Sequence, residues 1–176
     1  QPGERNFHVF YQMFCGATLE DKLYWHIGDV EDYRYTNQGG VYKLTHIDDE
    51  EEYVDLRKAL KTLNFQSNDV KSLFDAMAGI LHLGQIELVA DEEGEGSLPS
   101  SRPETTAAIE YACEMLGIKP EDLISTFTTR TLATGGESVV KKLPVHAAVA
   151  TRDALAKAIY GRIFNWIVTT INYSIH

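Results

Sequence analysis

The sequence predicts a mainly α fold, a helical subdomain with one protruding β-hairpin. Two observations carry that prediction. Apolar residues recur at helical spacing through most of the 176 residues, and a single run of β-formers is divided by the pair Gly135-Gly136.

The elements follow in order. Residues 5–15 read as a helix with Phe7, Phe10, Tyr11 and Phe14 on one face, stopping at Gly16. Residues 30–44 hold Tyr33, Tyr35, Tyr42 and Gly39-Gly40 without a helical period, which predicts irregular chain with short extended pieces. Asp48, Asp49, Glu50, Glu51 and Glu52 then announce a helix, because carboxylates favour the positive end of the helix dipole. Tyr53, Leu56, Leu60 and Leu63 form its stripe. A calcium site is the sharper reading of those acids, but no loop glycine or alternating ligand pattern accompanies them, so a solvated helix start is expected.

A stronger helix is predicted over 68–83, with Val70, Leu73, Phe74, Met77, Ala78 and Leu81 on one face and Gly84 closing it. After a short extended run over 85–90, residues 91–103 are acidic and rich in Gly, Ser and Pro, the composition of a mobile surface loop. Ile109, Ala112, Cys113 and Leu116 mark the next helix, ended by Gly117, and Pro120 opens another carrying Leu123, Ile124 and Phe127. Residues 128–143 form the hairpin, and a long helix follows over 145–172. Its last turns are apolar nearly all round (Ile163, Phe164, Trp166, Ile167, Val168, Ile171), which predicts burial on every side. A sequence ending just beyond its most apolar helix reads as a fragment; neither an internal repeat nor a second domain is expected.

Composition narrows the function. The net charge of −10 argues against a general nucleic-acid or anionic-membrane binder, since phosphate neutralisation needs a net basic face. No apolar run is long enough to cross a bilayer, so no membrane insertion is expected. Cys15 and Cys113 lie far apart among apolar residues, which suggests buried free thiols and a cytoplasmic setting. The six histidines show no metal-ligand spacing, and neither a GxSxG elbow nor a GxxxxGK[ST] phosphate loop is present. Catalytic, metal and cofactor sites are therefore expected to be absent from this chain.

Four segments carry a resemblance. ERNFHVFYQ (residues 4–12) is similar to the ERNFHxFYQ segment that follows switch I in myosin motors. YTNQG (35–39) resembles that family's YLNQS stretch, and LHLG (81–84) its LHLGN element. DALAKAIY (153–160), with Arg162, Phe164 and Trp166, is similar to DALAKAxYxRLFxW. The order is the family's, and the likeness covers nearly the whole chain. On the family's layout it corresponds to the part between switch I and switch II, traditionally called the upper 50-kDa subdomain. The phosphate loop, NxNSSRFGK and DxxGFE segments lie outside it.

The resemblance implies an actin-activated ATPase using ATP and Mg in the parent motor, with the actin filament and the rest of the motor head as partners and a cytoskeletal location. It matches residues 128–143 to the family's actin-contacting cardiomyopathy loop, with Arg130, Thr131, Lys141 and Lys142 as the contact residues. Glu137, sixteen residues ahead of Asp153, matches a position that in the family is acidic or a phosphorylatable serine or threonine. Asp91, Glu92, Glu93 and Glu95 fall in the family's loop 4, where an acidic partner would repel them. A free-standing helical interaction module without nucleotide chemistry is the alternative reading.

Overall fold

The computed structural model describes residues 2–134 and 137–175, with backbone alone at 134, 137, 174 and 175. Its helices are α1 (His8–Gly16), α2 (Leu19–Tyr24), α3 (Arg34–Asn37), α4 (Asp49–Thr62), α5 (Ser67–Gln85), α6 (Pro103–Leu116), α7 (Pro120–Thr128) and α8 (Val145–Ile175). Two antiparallel hairpins complete the described fold: β1 (Leu88–Ala90) with β2 (Ser97–Pro99), and β3 (Thr129–Thr134) with β4 (Glu137–Lys142). The predicted class holds, with a second and smaller hairpin added.

Asn6 decides where α1 begins. Its Oδ1 accepts from the Phe7 amide at 2.8 Å and its Nδ2 donates to the Tyr35 carbonyl at 2.7 Å, bonds that hold the chain out of the helix until His8. The start is thus later than the 5–15 reading. Phe10, Tyr11 and Phe14 are buried as expected, while Phe7 stays exposed and stacks on Tyr160 at 3.7 Å. Thr18 caps α2 by accepting from the Asp21 amide at 3.1 Å.

Residues 30–44 depart from the expected extended pieces. They form a 3-10 turn, Val30–Asp32, and the short α3. The Thr36 hydroxyl donates back to the carbonyls of Val30 and Tyr33, stabilising turns that the period rule cannot see. Asp48 caps α4, accepting from the Glu50 and Glu51 amides. The acidic start is not wholly solvated, because Asp49 is buried against Arg5 at 2.8 Å.

The core centres on α5, whose buried face includes Leu73, Phe74, Met77, Ala78 and Leu81 and packs along α6, α8 and α3. Gly84 does not close α5, which runs on to Gln85. Its role is close approach: a Cβ there would lie 3.0 Å from the Tyr35 ring. Gly117 does end α6, in the left-handed conformation at φ 66°.

Residues 91–103 are not a structureless loop. β2 pairs with β1 in the register Leu88↔Pro99, Val89↔Leu98 and Ala90↔Ser97, and Pro103 already belongs to α6. The outer half of α8 is not buried on every side either. Phe164 is 57% exposed, and Trp166 and Val168 are also open, because the described elements pack on one side of this helix only. Cys113 is buried, but Cys15 is exposed on the last turn of α1.

Candidate interaction surface

The β3–β4 hairpin grows from a buried anchor. Leu123 and Phe127 of α7 are almost fully buried, and the Thr128 hydroxyl donates to the Ile124 carbonyl at 2.7 Å, holding the last turn. The Leu143 amide then donates to the Thr128 carbonyl at 2.8 Å and closes the hairpin base. Six residue pairs extend from there, Thr129↔Lys142 through Thr134↔Glu137. The Gly135-Gly136 turn and the Glu137 side chain lie outside the described residues.

Pleat alternation sorts the predicted site residues onto two faces. Arg130 and Lys141 are direct cross-strand partners on one face, beside the Leu132↔Val139 pair. Thr131, paired with Val140, lies on the other face with the Thr129↔Lys142 pair. Arg130, Thr131, Leu132, Val139, Val140 and Lys141 are all exposed. Like charges directly opposite each other destabilise a two-stranded pairing. Among the described residues neither Arg130 nor Lys141 has a carboxylate partner to offset that cost.

Lys142 is differently placed. Its Nζ lies 2.8 Å from Asp91 Oδ2 and 3.3 Å from Glu93 Oε2, in the turn of the β1–β2 hairpin. Hydrogen bonding to Asp91 raises the Lys142 pKa, and the same bond lowers that of Asp91. Sequence reading missed this pairing, since its partners stand 51 and 49 residues apart.

The four resembling segments converge in a second cluster. The Tyr35 hydroxyl donates to Asp153 Oδ1 at 2.6 Å, and Arg152 Nε and Nη2 donate to the same oxygen at 3.0 and 2.7 Å. Arg152 Nη1 donates to the Ile86 carbonyl at 2.7 Å. Asn6 reaches the Tyr35 carbonyl, and Gly84 supplies the space for the Tyr35 ring. Burial and the Asp153 carboxylate push the Tyr35 pKa far up, so this phenol is a fixed donor. Nearby, the buried His82 donates from Nε2 to the Trp25 carbonyl at 2.8 Å, and burial lowers its pKa. These groups tie α3, α5 and α8 to the chain that leads into α1. Among the described residues no three His, Cys, Asp or Glu side chains could hold a metal ion, and no helix is long and apolar enough to cross a membrane.

Mostly helical packing, a hairpin with a cationic pair, and a polar knot joining four separated segments define a mainly helical protein with an exposed β-hairpin. The family match is to the Myosin head (motor domain) and covers residues 1–176. The chain is 37% identical over 169 residues to a protein named Myosin-2 from Lachancea kluyveri, covering 96% of this chain and 11% of that protein. It is 36% identical over 172 residues to Myosin-14 from Arabidopsis thaliana (98% and 11%) and 35% identical over 174 residues to human Unconventional myosin-Ih (98% and 16%). The chain belongs to the myosin head (motor domain) family, and it spans about a tenth to a sixth of the length of these relatives.

Proposed function

We propose that this chain is an actin-facing part of an ATP-driven, cytoskeleton-associated motor, corresponding to the upper 50-kDa subdomain, and that the β3–β4 hairpin makes the contact. The Arg130↔Lys141 pair is the observation that carries the reading. A cross-strand pair of cations with no carboxylate partner among the described residues costs the isolated hairpin stability, and an acidic surface would offset that cost. Leu132 and Val139 beside it offer apolar area to the same partner, and Thr131 on the opposite face adds a hydroxyl.

Nucleotide chemistry would reside elsewhere in the parent motor. The sequence has no GxxxxGK[ST] segment to cradle the phosphates of ATP. No step of hydrolysis is assigned to residues of this chain. Glu137 supplies a fixed negative charge at the hairpin position that relatives fill with an acid or a phosphorylatable residue, so no kinase is needed there.

The test is cosedimentation of the full motor with actin filaments over a range of ionic strength. Arg130→Ala with Lys141→Ala lowers affinity and flattens its salt dependence, because exposed charges act through screened attraction. An unchanged affinity and slope would sink the assignment. Glu137→Ala lowers actin-activated ATPase and Glu137→Asp recovers it; a normal rate in the alanine variant ends the Glu137 reading.

A further inference from the structure

We infer that Asp91 and Glu93 are positioning residues for the actin-facing hairpin, and that Lys142 acts as their anchor rather than as a contact with the filament. The inference rests on the proposed role of the hairpin, and its structural half can be tested without that role.

The argument starts in the β1–β2 turn. Asp91 divides its two oxygens between two tasks. Oδ1 accepts from the Gly96 amide at 3.1 Å and shapes the turn, while Oδ2 takes the Lys142 ammonium at 2.8 Å. The Asp91 side chain is only 10% exposed, against 74% for Glu93, so the first carboxylate is built in and the second adds to it from outside. Gly96 makes the approach feasible: a Cβ there would lie 2.6 Å from Asp91 Oδ2 and 2.7 Å from Lys142 Cδ. One bond lower, the Ser97 hydroxyl of β2 donates to the Leu143 carbonyl at 2.7 Å. The Leu143 amide is in turn bonded to Thr128 at the hairpin base. The small acidic hairpin thus grips the end of β4 and the residue after it, through a side chain at Lys142 and through the backbone at Leu143.

A hairpin of two strands is marginal alone and needs support to keep one orientation. The grip supplies that support at the end nearest the body and leaves Arg130 and Lys141 open further along. It also gives the acidic turn a use that its sign would not suggest. Carboxylates that would repel an acidic partner are neutralised in part by the hairpin's own lysine, and the Lys142 ammonium, though exposed, is already engaged by two of them.

Hydrogen exchange on the full motor decides the structural half. Asp91→Asn with Glu93→Gln should speed exchange of the Lys141 and Leu143 amides, the ones that face β3, about two- to fivefold, the range expected for loss of an exposed ion-pair network. Lys142→Ala should do the same, with no further gain when all three changes are combined. Unchanged exchange in both the carboxylate and the lysine variants would overturn the inference, whatever actin does.

Actin cosedimentation decides the other half. Lys142→Ala should lower affinity without flattening the salt dependence, whereas Lys141→Ala flattens it. If Lys142→Ala flattens the slope as much as Lys141→Ala and leaves exchange unaltered, Lys142 is a contact and the inference is wrong. If Lys141→Ala has no effect on actin at all, the proposed role of the hairpin fails, and the exchange results still decide the grip.

Discussion

Removing the Asp49 carboxylate should cost far more than removing the whole ion pair it belongs to. Arg5 and Asp49 are both sealed from water, with side chains 2% and 4% exposed. One bond joins them, Arg5 Nη2 to Asp49 Oδ1 at 2.8 Å, and the guanidinium lies 3.9 Å from the centre of the Tyr11 ring. Nε and Nη1 of Arg5 are buried without a partner among the described residues. The pair therefore suffers the desolvation of a full guanidinium and recovers only part of it. Asp49→Ala strands that cation in the core, at a cost of about 3–5 kcal/mol. For a domain of this size that is a fall in Tm of about 10 °C. Arg5→Met with Asp49→Leu replaces both charges by apolar volume. It should leave stability within about 1 kcal/mol of the parent, or raise it by up to about 4 kcal/mol. Urea unfolding followed by circular dichroism measures both, and the slope against urea should stay constant so that midpoints compare directly. A double variant as unstable as Asp49→Ala would refute the reasoning, since the pair would then contribute net stability despite its unpartnered donors.

Two further outcomes follow from the interior. Burial lowers the His82 pKa below its ordinary 6.5, so on acidification the unfolded chain binds this proton first. The His82 contribution is complete above pH 6.5 and declines as pH falls from there toward the folded value. Urea midpoints of the chain and of His82→Gln, compared from pH 7.5 to 5, should converge as pH falls; parallel profiles would contradict the assignment. Tyr35→Phe removes the donor to Asp153 while keeping the ring against Gly84, and should cost about 1–2 kcal/mol, since Asp153 is partly solvated. Thermal unfolding measures it, and no loss would mean that Arg152 alone satisfies the carboxylate.

The sequence was most legible where one local rule governed. Five of the six apolar positions at helical spacing fall on the buried face of α5, with Val70 partly buried beside them, and Pro120, Gly117 and the run of β-formers marked their elements for equally local reasons. Legibility failed where distant contacts decide. Gly84 reads as a helix stop until Tyr35 is seen to need its missing side chain, and Asp49 reads as solvated until Arg5, 44 residues away, is found beside it. The apolar outer turns of α8 signal a capacity for burial, but the pattern cannot say which surface supplies the cover. The strands of the acidic turn are three residues each, too short for alternation to show. Lys141 and Lys142 mark the boundary between what was readable and what was not. Neighbours in sequence invite a shared role, yet a strand repeats every two residues, so consecutive lysines on β4 must face opposite ways. That division was available from the hairpin prediction itself. What no local pattern held was that the second lysine would meet Asp91, because its partner belongs to a hairpin formed by chain about fifty residues earlier. Two adjacent identical side chains therefore serve one strand differently, Lys141 open beside Arg130 and Lys142 bonded to the acidic turn, and the difference arises from the fold rather than from the residue type.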